Sequence, residues 1–197
     1  NALGHGLRHC SYDIVARMDT DDISLPKRFI SQINFLQDND HIKVVGSHIS
    51  EFKYDENITL STRLVPLSHD EILSTAKFNN PFNHPSVMYR KSAILGVGGP
   101  VNFTGFDDYI LWVKVLNRGF KCANIDKVLL LMRSGNGLIN RRSGIKYAIQ
   151  EFNFQLELYK IGFLNIFSLI RNLFLRVPIR FMPVSFIKII YKYFLRV

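Results

Sequence analysis

Two acidic groupings in the 197-residue sequence have the composition of reactive sites. Asp19, Asp21 and Asp22 fall within four residues, and Asp107 and Asp108 form a second pair. Carboxylates this close repel one another, and a divalent cation relieves the repulsion. Mg2+ and Mn2+ take hard oxygen ligands, usually one or two carboxylates together with substrate phosphates. An Asp-x-Asp spacing at a strand end can aim both carboxylates at one ion. The competing reading is a solvated acidic turn, since turns favour Asp. Asp107-Asp108 leads into an apolar helical stretch, where acids act as caps and dipole partners. At hydrogen-bonding distance from an alcohol, such an acid is instead a general base.

Four further residues stand near these acids in sequence or motif. Arg17, two residues before Asp19, either pairs with the acids or offers its fork to a phosphate. His84, ahead of Pro85 and Ser86, is either structural or a ligand contact. Trp112 lies one helical turn after Asp108 and either packs in the core or stacks on a ligand. Arg28 is expected to be structural.

The elements needed to hold these residues are legible. Asp13–Met18 predicts a short buried strand ending at the acidic cluster. Ser24 is a candidate cap for a helix over 26–37, with Phe29, Ile33 and Leu36 at helical spacing. Strands are predicted over 41–50, 58–64, 85–89 and 121–132. Helices are predicted over 68–78, 90–95, 109–118 (closed by Gly119) and 145–159. Alternation of strands and helices implies an α/β domain with a mostly parallel or mixed sheet. In such sheets ligands bind outside the carboxyl ends of strands, where Asp19–Asp22 falls.

Three stretches carry a family resemblance. Val15-Ala16-Arg17-Met18-Asp19-Thr20-Asp21-Asp22-Ile23-Ser24-Leu25-Pro26-Lys27-Arg28-Phe29 resembles the donor-site segment of family 2 glycosyltransferases, in particular the bacterial enzymes of exopolysaccharide and O-antigen assembly. Asn83–Arg90 resembles their central strand, and Gly105–Trp112 resembles their acidic-pair segment. The resemblance implies the nucleotide-diphospho-sugar transferase (GT-A, Rossmann-like) fold, with a mixed sheet flanked by helices. It implies an inverting transfer of a sugar from a nucleotide-diphospho-sugar donor to the hydroxyl of a saccharide or lipid-linked saccharide acceptor. Asp19 and Asp21 would hold Mn2+ or Mg2+, Asp22 would shape the turn, and Asp108 would be the base. Asp107, the second catalytic candidate, stands where the family usually has Glu. Arg17, Asp22, His84 and Trp112 become candidates for donor or acceptor binding. Arg133, Arg141 and Arg142 flank a Gly/Ser/Asn loop, which is either solvated or closes over the donor diphosphate.

The fold so implied normally begins with βα units that read the nucleoside, and only about a dozen residues precede Asp13. The expected organisation is therefore a partial catalytic domain over 1–160, incomplete at its N-terminus, and a C-terminal helical tail over 161–197. Net charge is +9, but seven cations follow Glu157, the last acid, which leaves +2 for the first 157 residues. A basic body that would bind nucleic acid is thus excluded. Lys188, Lys192 and Arg196 share one helix face, with Ile187, Ile190, Tyr191 and Phe194 largely on others, a pattern suited to an anionic membrane surface. The expected location is cytoplasmic and peripheral, on the inner face of the cell membrane. Cys10 and Cys122 have no metal or redox spacing. The alternative function is an inactive, membrane-associated binding module. A phosphatase or nuclease would require further clustered His or Asp ligands.

Overall fold

A computed structural model describes residues 2–135 and 142–182. Its centre is a pair of long strands, β3 (Ile42–Phe52) and β6 (Lys121–Arg133), which run parallel from Ile42 beside Lys121 to Phe52 beside Arg133. Three shorter strands extend the sheet: β1 (Ile14–Ala16), β2 (Ile23–Ser24) and β5 (Met88–Arg90). The order is β1-β5-β3-β6-β2, with β4 (Ser61–Arg63) also pairing to β3. All pairings except β3–β6 are antiparallel. The sheet is therefore mixed, and the long crossover that joins β3 to β6 accounts for its one parallel pair.

Side-chain alternation along the strands divides the core in two. Val44, Tyr89 and Cys122 point to one face, against α3 (His69–Ala76), α5 (Asp107–Asn117) and α6 (Ile145–Lys160). Val45, Met88 and Ala123 point to the other, against α2 (Arg28–Asp38). Helix α5 is buried on nearly every side, so its sequence is almost continuously apolar. Helix α3 starts as its sequence predicts: Ser68 and Glu71 form a reciprocal capping box. Helix α1 (Ala2–His9) and the short α4 (Lys91–Gly96) complete the body of the fold, and α7 (Ile166–Arg176) packs on α6.

Three local expectations are revised, the last only in part. Ser24 does not cap α2, because it is in β2 opposite Leu130. His84–Ser86 is a 3-10 turn rather than strand, since Pro85 has no amide to donate. On α2 the buried positions are Arg28, Gln32 and Leu36, whereas Phe29 is exposed. The helix turns polar side chains inward because they tie down the loops that carry the candidate site.

Candidate active site

The acidic turn follows β1, and distant backbone fixes its shape. Arg17 N donates to Val87 O at 2.9 Å. Arg28, fully buried, donates Nη2 to Arg17 O at 2.6 Å and Nε to Gln32 Oε1 at 3.1 Å. Burial, and then repulsion from Arg17, pulls the Arg28 guanidinium pKa down to about 10, so it still carries its charge. Asp22 N closes the turn onto Asp19 O at 3.3 Å. Asp22 Oδ1 accepts from Arg133 N at 2.9 Å, which joins the turn to the end of β6. Burial raises the Asp22 pKa; the Arg133 amide opposes the rise and the charges of Asp19 and Asp21 add to it. Asp22 thus shapes the turn.

Arg17 grips Asp19 with both terminal nitrogens, each at 2.6 Å. Asp21 is exposed, and its carboxylate has no hydrogen bond or ion pair among the described residues. Arg17 Nε and Asp22 Oδ2 are buried without a protein partner. The turn therefore presents hard oxygen donors and partly unsatisfied polar atoms, which suits a small divalent cation with phosphate oxygens. Among the described residues no three His, Cys, Asp or Glu side chains form a ready-made cage.

The second part of the site is built on the segment before β5. Arg63 donates to Asn80 O at 2.8 Å, Phe82 O at 3.1 Å and Asn83 Oδ1 at 2.8 Å, and Asn83 Nδ2 donates to Ser47 O at 2.8 Å. This lattice presents His84. The His84 ring lies 5.5 Å from that of Trp112, and its Nδ1 is buried without a partner. Burial pulls the His84 pKa down to about 4; Asp108 and Asp19 oppose that and Arg17 adds to it. The ring is neutral at pH 7.

Asp107 and Asp108 open α5, where the helix dipole favours negative charge. Asp107 Oδ1 accepts from Phe103 N and so closes the preceding loop. Asp108 Oδ1 accepts from Tyr109 N at 2.8 Å, and Oδ2 accepts from Asn80 Nδ2 at 2.9 Å. Asn80 is a site residue that sequence reasoning did not single out; an Asn before Pro81 reads only as a turn.

One narrow cleft of about 40 Å3 is lined by Arg17, His84, Asp107 and Asp108, together with Tyr89 and Leu111. Residues from the three resembling stretches therefore meet at one place. Trp112 does not line it. It is fully buried among Phe82, His84 and Tyr89, so it supports the His84 ring from beneath and has no face open to a ligand. Arg142 lines a separate cavity with Lys146 and Tyr147. Arg141 lies outside the described residues.

This sheet, with an acidic turn at the end of a strand, defines a GT-A nucleotide-sugar transferase fold. The same fold occurs in a mannosyltransferase of Pyrobaculum calidifontis, PcManGT, solved with GDP-Man and Mn2+ (TM-score 0.56; 18% identity over 90% of this chain and 49% of that one). It also occurs in S. aureus TarS 1-349, solved with UDP-GlcNAc (TM-score 0.55; 12% identity over 86% of this chain and 49% of that one). The chain thus spans about half the length of these solved chains.

Residues 1–97 match glycosyl transferase family 2. An uncharacterized glycosyltransferase of Haemophilus influenzae is 38% identical over 99% of this chain and 72% of its own length. An Escherichia coli UDP-Gal:alpha-D-GlcNAc-diphosphoundecaprenol beta-1,3-galactosyltransferase is 37% identical over 99% of this chain and 70% of its own length. The amylovoran biosynthesis glycosyltransferase AmsE of Erwinia amylovora is 35% identical over 97% and 71%. The chain belongs to glycosyl transferase family 2 and is a glycosyltransferase.

Proposed function

We propose that this chain carries the metal and acceptor half of an inverting glycosyltransferase. It would move a sugar from a nucleoside diphosphate donor to a hydroxyl of a lipid-linked saccharide in bacterial surface-polysaccharide synthesis. The observation that supports this reading most strongly is the convergence of Arg17, His84, Asp107 and Asp108 on one cleft. The Escherichia coli relative's diphosphoundecaprenol substrate and the Erwinia relative's role in amylovoran biosynthesis support the acceptor class.

Asp21 and Asp19 are the residues that would hold Mn2+ or Mg2+. The cation would neutralise charge on the departing diphosphate. Asp108 takes the proton of the acceptor hydroxyl as its oxygen attacks the anomeric carbon; the bond from that carbon to the diphosphate breaks, and the diphosphate leaves with the electron pair. Attack from the face opposite the diphosphate inverts the centre, so no second carboxylate nucleophile is required. Asn80 orients Asp108 through Oδ2. His84, neutral and backed by Trp112, is a hydrogen-bonding wall for donor or acceptor. Residues 1–160 form the catalytic unit and 161–197 its attachment to an anionic membrane surface at the inner face of the cell membrane, where a lipid-linked acceptor is met. Lys188, Lys192 and Arg196, expected to face that surface, lie outside the described residues.

The test is sugar transfer by the full open reading frame with Mn2+, comparing the native sequence with Asp21→Ala and Asp108→Ala. Transfer at an undiminished rate by both variants would reject the reading.

A further inference from the structure

Helix α7 turns Leu169 inward together with a set of polar anchors and leaves most of its apolar side chains outside. Among the inward residues Asn172 is fully buried and donates Nδ2 to Lys77 O at 2.8 Å and to Gln155 Oε1 at 2.9 Å. Arg176 Nε donates to Glu151 Oε1 at 2.6 Å, and Arg180, just beyond the helix, donates Nη2 to Glu151 Oε2 at 2.7 Å. Burial pushes the Glu151 pKa up, but the two guanidiniums outweigh it and the carboxyl lies below the ordinary range. The outward face is apolar. Ile166, Phe167, Ile170, Phe174 and Leu175 are all exposed, Phe167 at 80% and Phe174 at 78%. An ordinary surface helix has the opposite arrangement, and so much exposed apolar area in one place marks a docking surface.

We infer that the outward face of α7 is a docking surface for an anionic lipid bilayer, with the helix lying in the plane of the interface. Charge decides the occupant. The only charged residue in the exposed sector of α7 is the cation Arg171, and no acid follows Glu157 in the sequence. The neighbouring helix α6 exposes Ile145, Ile149, Phe152 and Tyr159 along one stripe, bordered by the exposed cations Lys146 and Lys160 and the half-exposed acid Glu157. Apolar stripes bordered by cations complement anionic headgroups over acyl chains. Two copies of this face would instead oppose cation to cation. No helix among the described residues is long and apolar enough to cross a membrane, so the contact is with the surface. The polar clamp at Glu151 and Asn172 holds the apolar face outward before any lipid is met. The inference rests on the lipid-linked acceptor reading for its biological use, but its geometry stands apart from the transfer chemistry.

The experiment is flotation of the full 197-residue chain with phosphatidylglycerol-containing vesicles and with pure phosphatidylcholine vesicles. Phe167→Ser/Phe174→Ser should lower recovery on the anionic vesicles by about tenfold or more, given the apolar area removed, with the circular dichroism spectrum unchanged. In a second measurement, the Phe167→Trp variant should shift its fluorescence emission to the blue on the same vesicles; the one native tryptophan, Trp112, is buried. The inference is overturned if the serine pair floats like the native chain, or if the emission of the Phe167→Trp variant does not shift. It is also overturned if Lys188→Gln/Lys192→Gln/Arg196→Gln alone abolishes flotation and the serine pair does not. A native dimer that the serine pair converts to monomers without loss of vesicle binding would assign the face to a second copy. Donor turnover on a water-soluble acceptor, measured on the complete protein, reports separately on the transferase reading.

Discussion

Arg17 holds both oxygens of Asp19, while Asp21, two residues further on, presents its carboxylate to solvent. The two acids of the Asp-x-Asp pair are thus unequal before any ligand arrives. Asp21→Asn should raise the Mn2+ concentration needed for half-maximal transfer by about tenfold or more, as the loss of the proposed direct ligand requires. Asp19→Asn should have a smaller effect on metal and also release Arg17. Titration of transfer against Mn2+ distinguishes them, and equal responses would contradict the asymmetry. Removal of divalent ions with a chelator should abolish transfer by the complete enzyme, and added Mn2+ should restore it.

The amide of Asn80 orients Asp108 at 2.9 Å. Asp108→Asn, which removes the proposed base, should lower kcat by about 10^2–10^4-fold, the range for loss of a general base. Asn80→Ala should lower kcat much less, with little change in donor KM, because it removes only the orienting bond. Steady-state kinetics on the complete protein, with thermal melts as the folding control, check both.

These two assignments differ in how far the sequence alone reveals them. The Asp-Thr-Asp-Asp turn is visible because its acids are contiguous and follow an apolar run. Helices α3, α5 and α6 are visible because capping and apolar spacing are local properties. Asn80 is not visible, since its partner is 28 residues away and nothing local distinguishes it from a turn residue. Strand β2 is hidden for the same reason: two residues become strand only by pairing with Leu130 and Leu131. The outward apolar face of α7 is also hidden, since an amphipathic sequence does not say which of its faces is buried.

His84 gives a signed pH dependence. Its folded pKa of about 4 lies below the unfolded value near 6.5, so the unfolded chain binds the extra proton first as pH falls. The stability that His84 contributes is complete above about pH 6.5 and is lost progressively toward pH 4, by at most about 3 kcal/mol. His84→Gln should flatten that part of the stability curve. Urea melts at pH 7, 5.5 and 4.5 measure it, and an unchanged acid slope in the variant would count against the buried neutral ring.

Glu151 compensates two buried or largely buried guanidiniums. Glu151→Gln should destabilise the chain by about 3–5 kcal/mol, because Arg176 and Arg180 lose their counter-charge where water cannot replace it. In the native chain this contribution is present above the unfolded carboxyl pKa of about 4.5 and is lost as pH falls through the lower folded value. Thermal melts of the variant and the native chain at pH 7 test the first statement, and acid titration of the native melt tests the second.

Gly46 in β3 is a packing constraint. A Cβ there would sit 2.2 Å from Asn124 Oδ1 and 3.1 Å from Phe82. Gly46→Ala should cost about 1–3 kcal/mol through overpacking, read as a lower urea midpoint. Asn124→Ala in the same chain should recover part of the loss.

The bond from Arg133 N to Asp22 Oδ1 also orders events during synthesis. The acidic turn emerges from the ribosome more than a hundred residues before the strand that braces it, so a nascent chain carries the Asp-Thr-Asp-Asp sequence long before that sequence has its final shape. Contacts so far apart along the chain form late in folding. The shape of the acidic turn is therefore a property of the finished sheet, and a chain released before β6 would have the acids without the geometry.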